Sequence, residues 1–230
     1  MELKREAAAL VELIRAELRT RADPVRAVGA RAYMKSAVPF LGVRVPAVRR
    51  LTRAAAKVHP PDDVIELRDC AAELWRAADY REERYAATEL TKLPIAVGRL
   101  ELLGLLREMI VTGAWWDHVD AVAHGIAALL VAHRDHMTPL VLGWAHEQDC
   151  WLRRSSIICQ LGLRVRTDTA LLSEVIMVNA ADPEFFVRKA IGWALRDYAR
   201  TDPDWVRAFV TDHADRLSPL ARREAMKHLG

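Results

Sequence analysis

The chain has 230 residues, a formal net charge of +3, 52% hydrophobic residues and 28% charged residues. That content suits one compact domain or a short repeat array and excludes a disordered chain. No apolar run approaches the roughly 20 residues that span a bilayer, and the charged opening Met1-Glu2-Leu3-Lys4-Arg5-Glu6 has no signal-peptide pattern.

Cys70, Cys150 and Cys159 show no C-x-x-C spacing and read as reduced, mostly core thiols of a cytoplasmic protein with no membrane partner. Lysine occurs only at positions 4, 35, 57, 92, 189 and 227, so arginine supplies nearly all the positive charge. A GC-rich genome produces that bias by itself. Arginine is also the better bidentate partner for phosphate, and clustering on one face would decide between the two explanations.

From the N-terminus onward the sequence reads as helices. The breaks are Asp23-Pro24, Pro46, Pro60-Pro61, Pro94, Pro139, Asp182-Pro183, Asp202-Pro203 and Ser218-Pro219, several of them a capping residue ahead of a proline in the first helical turn. No stretch alternates and glycines are few, so strands are not expected. Beneath this lies a repeat: Arg50, Arg84, His118, Arg153, Arg188 and Arg222 follow one another at steps of 34, 34, 35, 35 and 34, each near a helix start. A period of about 35–45 residues with two helices per unit marks a HEAT-like α-solenoid. The expected fold is all-α, a curved HEAT-like repeat α-solenoid forming a single domain over residues 1–230. Its concave face would be a groove for an elongated partner, with a monomer as the default state.

Three helices carry candidate chemistry. In the first, Trp115, Val119, Val122, Ile126 and Leu129 form an apolar stripe at helical spacing. Trp116 and Asp120, at i and i+4, are neighbours on the face beside it, so the first tryptophan packs and the second is free beside a carboxylate. In the second, Trp151, Arg154, Ile158 and Leu161 share a stripe, which puts a guanidinium where an apolar side chain belongs; snorkelling at a core edge is the plain explanation. In the third, Val187, Ile191, Leu195 and Tyr198 make the core stripe, while Lys189, Trp193 and Arg196 lie at i, i+4 and i+7 on another face. A tryptophan bracketed by cations suits a surface that meets an anionic polymer. Asp117, His118 and Asp120 have no matching ligand set elsewhere, and His146-Glu147 lacks a second histidine. No metal site and no cofactor are expected, and glycine-rich phosphate loops are absent.

Several segments in order along the chain resemble one family. They are Tyr33-Met34-Lys35 with Phe40-Leu41-Gly42-Val43 and Pro46, Val111-Thr112-Gly113-Ala114-Trp115-Trp116-Asp117-His118-Val119-Asp120, and Trp151-Leu152-Arg153-Arg154. Glu184-Phe185-Phe186-Val187-Arg188-Lys189-Ala190-Ile191-Gly192-Trp193-Ala194-Leu195-Arg196 and the close, residues 217–228, complete the set. The chain is similar to the AlkD family of bacterial DNA alkylation repair glycosylases, whose fold is a HEAT-like solenoid.

The resemblance implies excision of cationic N3- and N7-alkylpurines from double-stranded DNA by hydrolysis of the N-glycosidic bond, with the lesion left in the duplex rather than flipped into a pocket. On motif match, Asp120 would be the catalytic carboxylate near C1′, and Trp116 and Trp193 would flank the deoxyribose. Arg154 would hold the neighbouring phosphate. Arg188, Lys189, Arg196, Tyr33, Lys35, Arg44 and Pro46 would be further DNA contacts that position the duplex without reading sequence. Gly42-Val43-Arg44-Val45-Pro46 carries arginine and valine where family members often have glutamine and threonine. That departure bears on strand contacts and lesion preference. Two further readings stand beside this one: a glycosylase for bulky purine adducts of a genotoxic natural product, and a non-catalytic scaffold binding DNA or protein.

Overall fold

The computed structural model describes residues 5–229; most of the charged opening, residues 1–4, and residue 230 lie outside the described residues. Among the described residues there are α-helices and short 3-10 turns and no strand. Contacts divide the chain into two compact units between Leu105 and Leu106.

The first unit holds α1 (Arg5–Thr20), α2 (Pro24–Met34), α3 (Val45–Val58), α4 (Val64–Arg76) and α5 (Arg81–Leu90), then 3-10 turns at Pro94–Ala96 and Leu100–Leu102. In α1, Ala7, Leu10, Val11, Ile14 and Leu18 recur at helical spacing and are buried, so one face of α1 packs on α3, α4 and α5. Asp23 and Asp63 cap α2 and α4 by accepting from the amides of Arg26 and Glu66. Helix α2 is the exception to this packing, since Met34 is its one buried residue.

Helix α6 (Leu103–Gly113) starts at the end of the first unit. The second unit holds α7 (Trp116–Ala132), α8 (Arg134–Ala145), α9 (Cys150–Ile158), α10 (Thr169–Val178), α11 (Phe185–Tyr198), α12 (Pro203–Asp212) and α13 (Pro219–Ala225). Here α7 packs on α9, α9 on α11 and α11 on α13, with α8, α10 and α12 laid against them. The repeat residues fall in every second helix: Arg50 in α3, Arg84 in α5, His118 in α7, Arg153 in α9, Arg188 in α11 and Arg222 in α13. Each step is thus one helix pair. Arg153 shows a use for the position, because its Nη1 donates to the carbonyls of Glu147 and Gln148, both at 2.8 Å, just past α8. Its Nε reaches Asp182 at 2.7 Å, tying the end of one pair to the turn before the next.

Two of the expected breaks differ in the structure. Asp182-Pro183 does not open α11: the helix starts at Phe185 with Glu184 at its N-cap, and the Asp182 carboxylate accepts from Arg153 Nε at one oxygen and from the Glu184 amide at the other. Pro139 lies inside α8 without ending it. The carbonyl it would have bonded belongs to Asp135, in the exposed first turn, where water can take the place of the missing N–H. The caps expected at Asp23, Asp202 and Ser218 all form, each ahead of a proline.

Candidate active site

Val119, Val122, Ile126 and Leu129 are buried, which fixes the rotation of α7 about its axis. Trp116 and Asp120 then share the flanking face one turn apart, both half-buried. Trp115 sits outside the helical stripe, in extended backbone at the N-cap position (φ −155°, ψ 149°). Its ring packs across helices instead, against Trp151 at 6.1 Å and Phe186 at 5.5 Å, which lie 5.1 Å from each other. One aromatic from the N-terminal end of each of α7, α9 and α11 therefore joins the three ends together.

Arg154 occupies the apolar stripe of α9, and the structure supplies its partners; Leu161, expected on the same stripe, lies beyond the helix end. Its Nε donates to Asp120 Oδ1 at 2.8 Å and its Nη2 to Asp120 Oδ2 at 3.0 Å. Its Nη1 donates to the carbonyl of Phe186 in α11 at 2.5 Å. The guanidinium also stands 5.9 Å from the centre of the Trp193 ring, within reach of a cation–π attraction. Its side chain is 4% exposed and that of Asp120 18%. Arg154 is thus turned inward onto Asp120 and α11, and not outward toward a phosphate. Asp120 and Arg154 are 34 residues apart, about one repeat, so adjacent pairs present them to each other.

Burial pushes the Asp120 carboxyl above the ordinary carboxylate range. The Arg154 guanidinium pulls the other way, and Asp117 adds a smaller upward push. The group is an acceptor-only carboxylate when ionised, held by two parallel donors with one edge still reachable by water.

On α11, Lys189 and Arg196 bracket Trp193 as the spacing predicts, but both turn to Glu224 of α13. Lys189 Nζ lies 3.2 Å from Glu224 Oε1, and Arg196 Nη1 pairs with Oε2. The pair, Arg196 first, holds the Glu224 carboxyl below its usual range. Gly192 makes this approach possible, since a Cβ there would lie 2.5 Å from Glu224 Cβ and 2.8 Å from the Ala221 carbonyl oxygen. Arg188 is half-buried, and its Nε has no hydrogen-bond partner among the described residues.

The remaining expected contacts lie in the first unit. Tyr33 is exposed near the end of α2, and Lys35 is exposed at its C-cap in left-handed backbone (φ 49°). Arg44 is the exposed N-cap of α3, and Pro46 is exposed in its first turn. Sequence reasoning passed over two acids: Glu82, whose carboxylate accepts the Leu41, Gly42 and Val43 amides, and Glu224, which pairs with Lys189 and Arg196.

All three cysteines are free. Burial pushes the Cys70 and Cys159 thiols up to about 12, so neither supplies a thiolate nucleophile at neutral pH. Among the described residues no group of three His, Cys, Asp or Glu side chains is placed to hold a metal ion, and no helix is long and apolar enough to cross a membrane.

No curated protein matches the chain. Among solved structures it is similar to a predicted DNA alkylation repair enzyme from Enterococcus faecalis, with 29% identity, a TM-score of 0.73, and coverage of 91% of this chain and 97% of that one. It also shares its fold with AlkD2 from Streptococcus mutans, at 18% identity and a TM-score of 0.60 over 81% of this chain and 90% of that one. The family model described as DNA alkylation repair enzyme matches residues 14–229, nearly the whole chain and every residue of the Asp120–Arg154–Trp193 site, and the protein belongs to that family.

Proposed function

We propose that this DNA alkylation repair enzyme is a monofunctional DNA glycosylase that hydrolyses the N-glycosidic bond of cationic N3- and N7-alkylpurines in duplex DNA. The observation that carries the reading is the Asp120 carboxylate, held at both oxygens by Arg154 and partly open to water, with that guanidinium 5.9 Å from the centre of the Trp193 ring.

An alkylated purine already carries positive charge. When the C1′–N bond breaks, the purine leaves as a neutral base with the bonding electrons, and the positive charge passes to the sugar as an oxocarbenium ion. What the protein must provide is negative charge beside C1′ and a positioned water. Asp120 supplies the first. As the water oxygen bonds to C1′, the same carboxylate takes its proton as general base. No acid is needed for the leaving group, so a shallow site is adequate. The faces of Trp116 and Trp193 favour a sugar that is turning cationic. Arg154, buried and already paired, keeps the carboxylate ionised and aimed; its effect on the reaction runs through Asp120.

One observation favours large as well as small lesions. Phe185, the first residue of α11, is 51% exposed and stands edge-on to Phe186 at 5.4 Å, close in sequence to the carbonyl that anchors Arg154. A flat adduct attached to the purine would find an aromatic surface there, which keeps a bulky-adduct specialist as the second reading.

The test is duplex DNA carrying 7-methylguanine, incubated with the protein and with Asp120→Asn, and free base measured by mass spectrometry. Release by the wild type and a loss of about 10²–10³-fold in the variant, the usual cost of removing one charge-stabilising group, is the expected result. Asp120→Asn should still fold and bind duplex DNA, because neutralising a buried carboxylate relieves desolvation while it weakens the pair. Full activity in Asp120→Asn would remove Asp120 from the role. If neither protein releases 7-methylguanine, a larger N7-guanine adduct is the next substrate, and failure there too leaves the scaffold.

A further inference from the structure

Between Pro24 and Pro61 the chain carries Arg26, Arg31, Lys35, Arg44, Arg49, Arg50, Arg53 and Lys57 and no Asp or Glu, although the whole chain is nearly balanced at 34 basic and 31 acidic residues. The first part of this segment is an arm. Helix α2 leaves Val25, Val28 and Tyr33 at 87%, 74% and 76% exposure, and an eleven-residue helix with so little packing is marginal by itself.

The loop from Ser36 to Val43 holds the arm, and the first turn of α5 holds the loop. The buried Glu82 carboxylate accepts three successive backbone amides: Leu41 at 2.9 Å, Gly42 at 2.8 Å and Val43 at 3.1 Å. Next to it, the Arg81 amide donates to the Pro39 carbonyl at 2.9 Å, and Arg81 Nη1 donates to Ser36 Oγ at 3.2 Å. The loop in turn grips α2. The Asp23 amide donates to the Leu41 carbonyl at 2.8 Å, Arg26 Nη1 to the Gly42 carbonyl at 2.9 Å, and Arg31 Nε to the Ser36 carbonyl at 3.2 Å. Gly42 is required at the crossing: its φ is +85°, and a Cβ would fall 2.2 Å from the Asp23 carbonyl oxygen. Arg26 and Arg31 are therefore engaged in holding the arm. Lys35 and Arg44, at the two ends of the loop, are exposed and have no acidic partner among the described residues.

We propose that Glu82 is a positioning residue for DNA binding: its carboxylate fixes the loop whose ends present Lys35 and Arg44 to the phosphate backbone. The proposal rests on the reading above only in taking the polyanion to be duplex DNA. A carboxylate suits the task because three donors need an acceptor-only group. In Glu82→Gln one oxygen becomes an NH2, so at least one of the three amides faces a donor, and the loop loses its single geometry.

The experiment is a mutant cycle read by fluorescence anisotropy on unmodified duplex DNA at several salt concentrations, with wild type, Glu82→Gln, Lys35→Ala/Arg44→Ala and the triple variant. Loss of two phosphate contacts, at about 0.9 each, flattens the slope of log Kd against log salt by roughly 1.8. Glu82→Gln is expected to show most of that change and a Kd raised about tenfold, and the triple variant is expected to bind no more weakly than Lys35→Ala/Arg44→Ala. A merely structural role would lower Tm and leave this coupling at zero. Additive effects, or an unchanged Kd and slope in Glu82→Gln, overturn the proposal. Should Glu82→Gln fail to fold, Ser36→Ala, which releases the other end of the loop from Arg81, enters the same cycle with the same expected coupling. Coupling without release of either 7-methylguanine or a larger N7-guanine adduct by the wild type would sink the glycosylase reading and keep the role of Glu82. Release without coupling sinks the role of Glu82 alone, and no binding of duplex DNA by the wild type sinks both.

Discussion

Replacing Arg154 with Met keeps much of the volume in α9 and removes the guanidinium that grips Asp120. Hydrogen bonds to a charged group contribute about 1.5–3 kcal/mol, and about 1.36 kcal/mol corresponds to one pKa unit. Losing the two bonds at 2.8 and 3.0 Å should therefore raise the Asp120 carboxyl further above its already elevated position. The reaction needs the ionised carboxylate, so excision is present above the Asp120 pKa and falls as pH drops through it. Already in the wild type the acid limb should lie above the ordinary carboxylate range. In Arg154→Met it should move to higher pH, with much of the rate recovered at alkaline pH. Stability runs with the opposite sign. A raised carboxyl contributes stability below its unfolded pKa and loses it as pH rises through the folded one, so the variant's deficit should be larger at neutral than at acid pH. Leaving one member of a buried pair alone costs on the order of 3–5 kcal/mol. The 18% exposure of Asp120 lets water in and favours the lower end, a Tm drop of roughly 6–12 °C for a chain of this size. The assay is single-turnover release of 7-methylguanine from pH 5 to 9, beside thermal unfolding at the same values. An unmoved acid limb, with a weaker Kd and a flatter salt slope, would refute the reasoning and return Arg154 to the phosphate.

Gly192→Ala should destabilise the second unit by about 1–3 kcal/mol, the usual cost of overpacking, because α13 must retreat from α11; urea unfolding checks it, and an unchanged midpoint would mean that α13 shifts freely. Glu224→Gln should release Lys189 and Arg196 from their counter-charge. Tighter binding of unmodified duplex DNA and a salt slope steeper by about 1 are expected in anisotropy, and weaker binding would show that Glu224 aims these cations instead of restraining them. The same variant should lose its acid-sensitive stability: a lowered carboxyl stabilises above its unfolded pKa and ceases to as pH falls through the folded one.

Features set by the geometry of a single helix could be read from the sequence. The spacing of Val119, Val122, Ile126 and Leu129 places Trp116 and Asp120 on one flank of α7, and the 34- and 35-residue steps fall on every second helix. What crosses from one helix to another could not be read, because it depends on register and crossing angle, on which no local pattern bears. Arg154 was visible as a charge in an apolar stripe, but its partner is 34 residues away in a neighbouring pair. Trp115 fits the α7 stripe by counting, yet the chain is still extended there, and the ring joins Trp151 and Phe186 across helices.

Charge shows the same division most sharply. A net charge of +3 understates what the fold presents, and a list of cations overstates it. Lys189 and Arg196 sit on the expected face and are largely answered by Glu224, while Arg26 and Arg31 are engaged with loop carbonyls. Lys35 and Arg44 look no different in the sequence, and they are exposed with no acid to pair with among the described residues. What separates the two sets is where the acids are. Glu224 lies within reach of the cations on α11, whereas the acids of α5 point at the loop backbone and at Arg15, Arg19, Arg49 and Arg53. A carboxylate that binds amides fixes the backbone beneath a cation without neutralising it, which is the property a phosphate-binding arm needs.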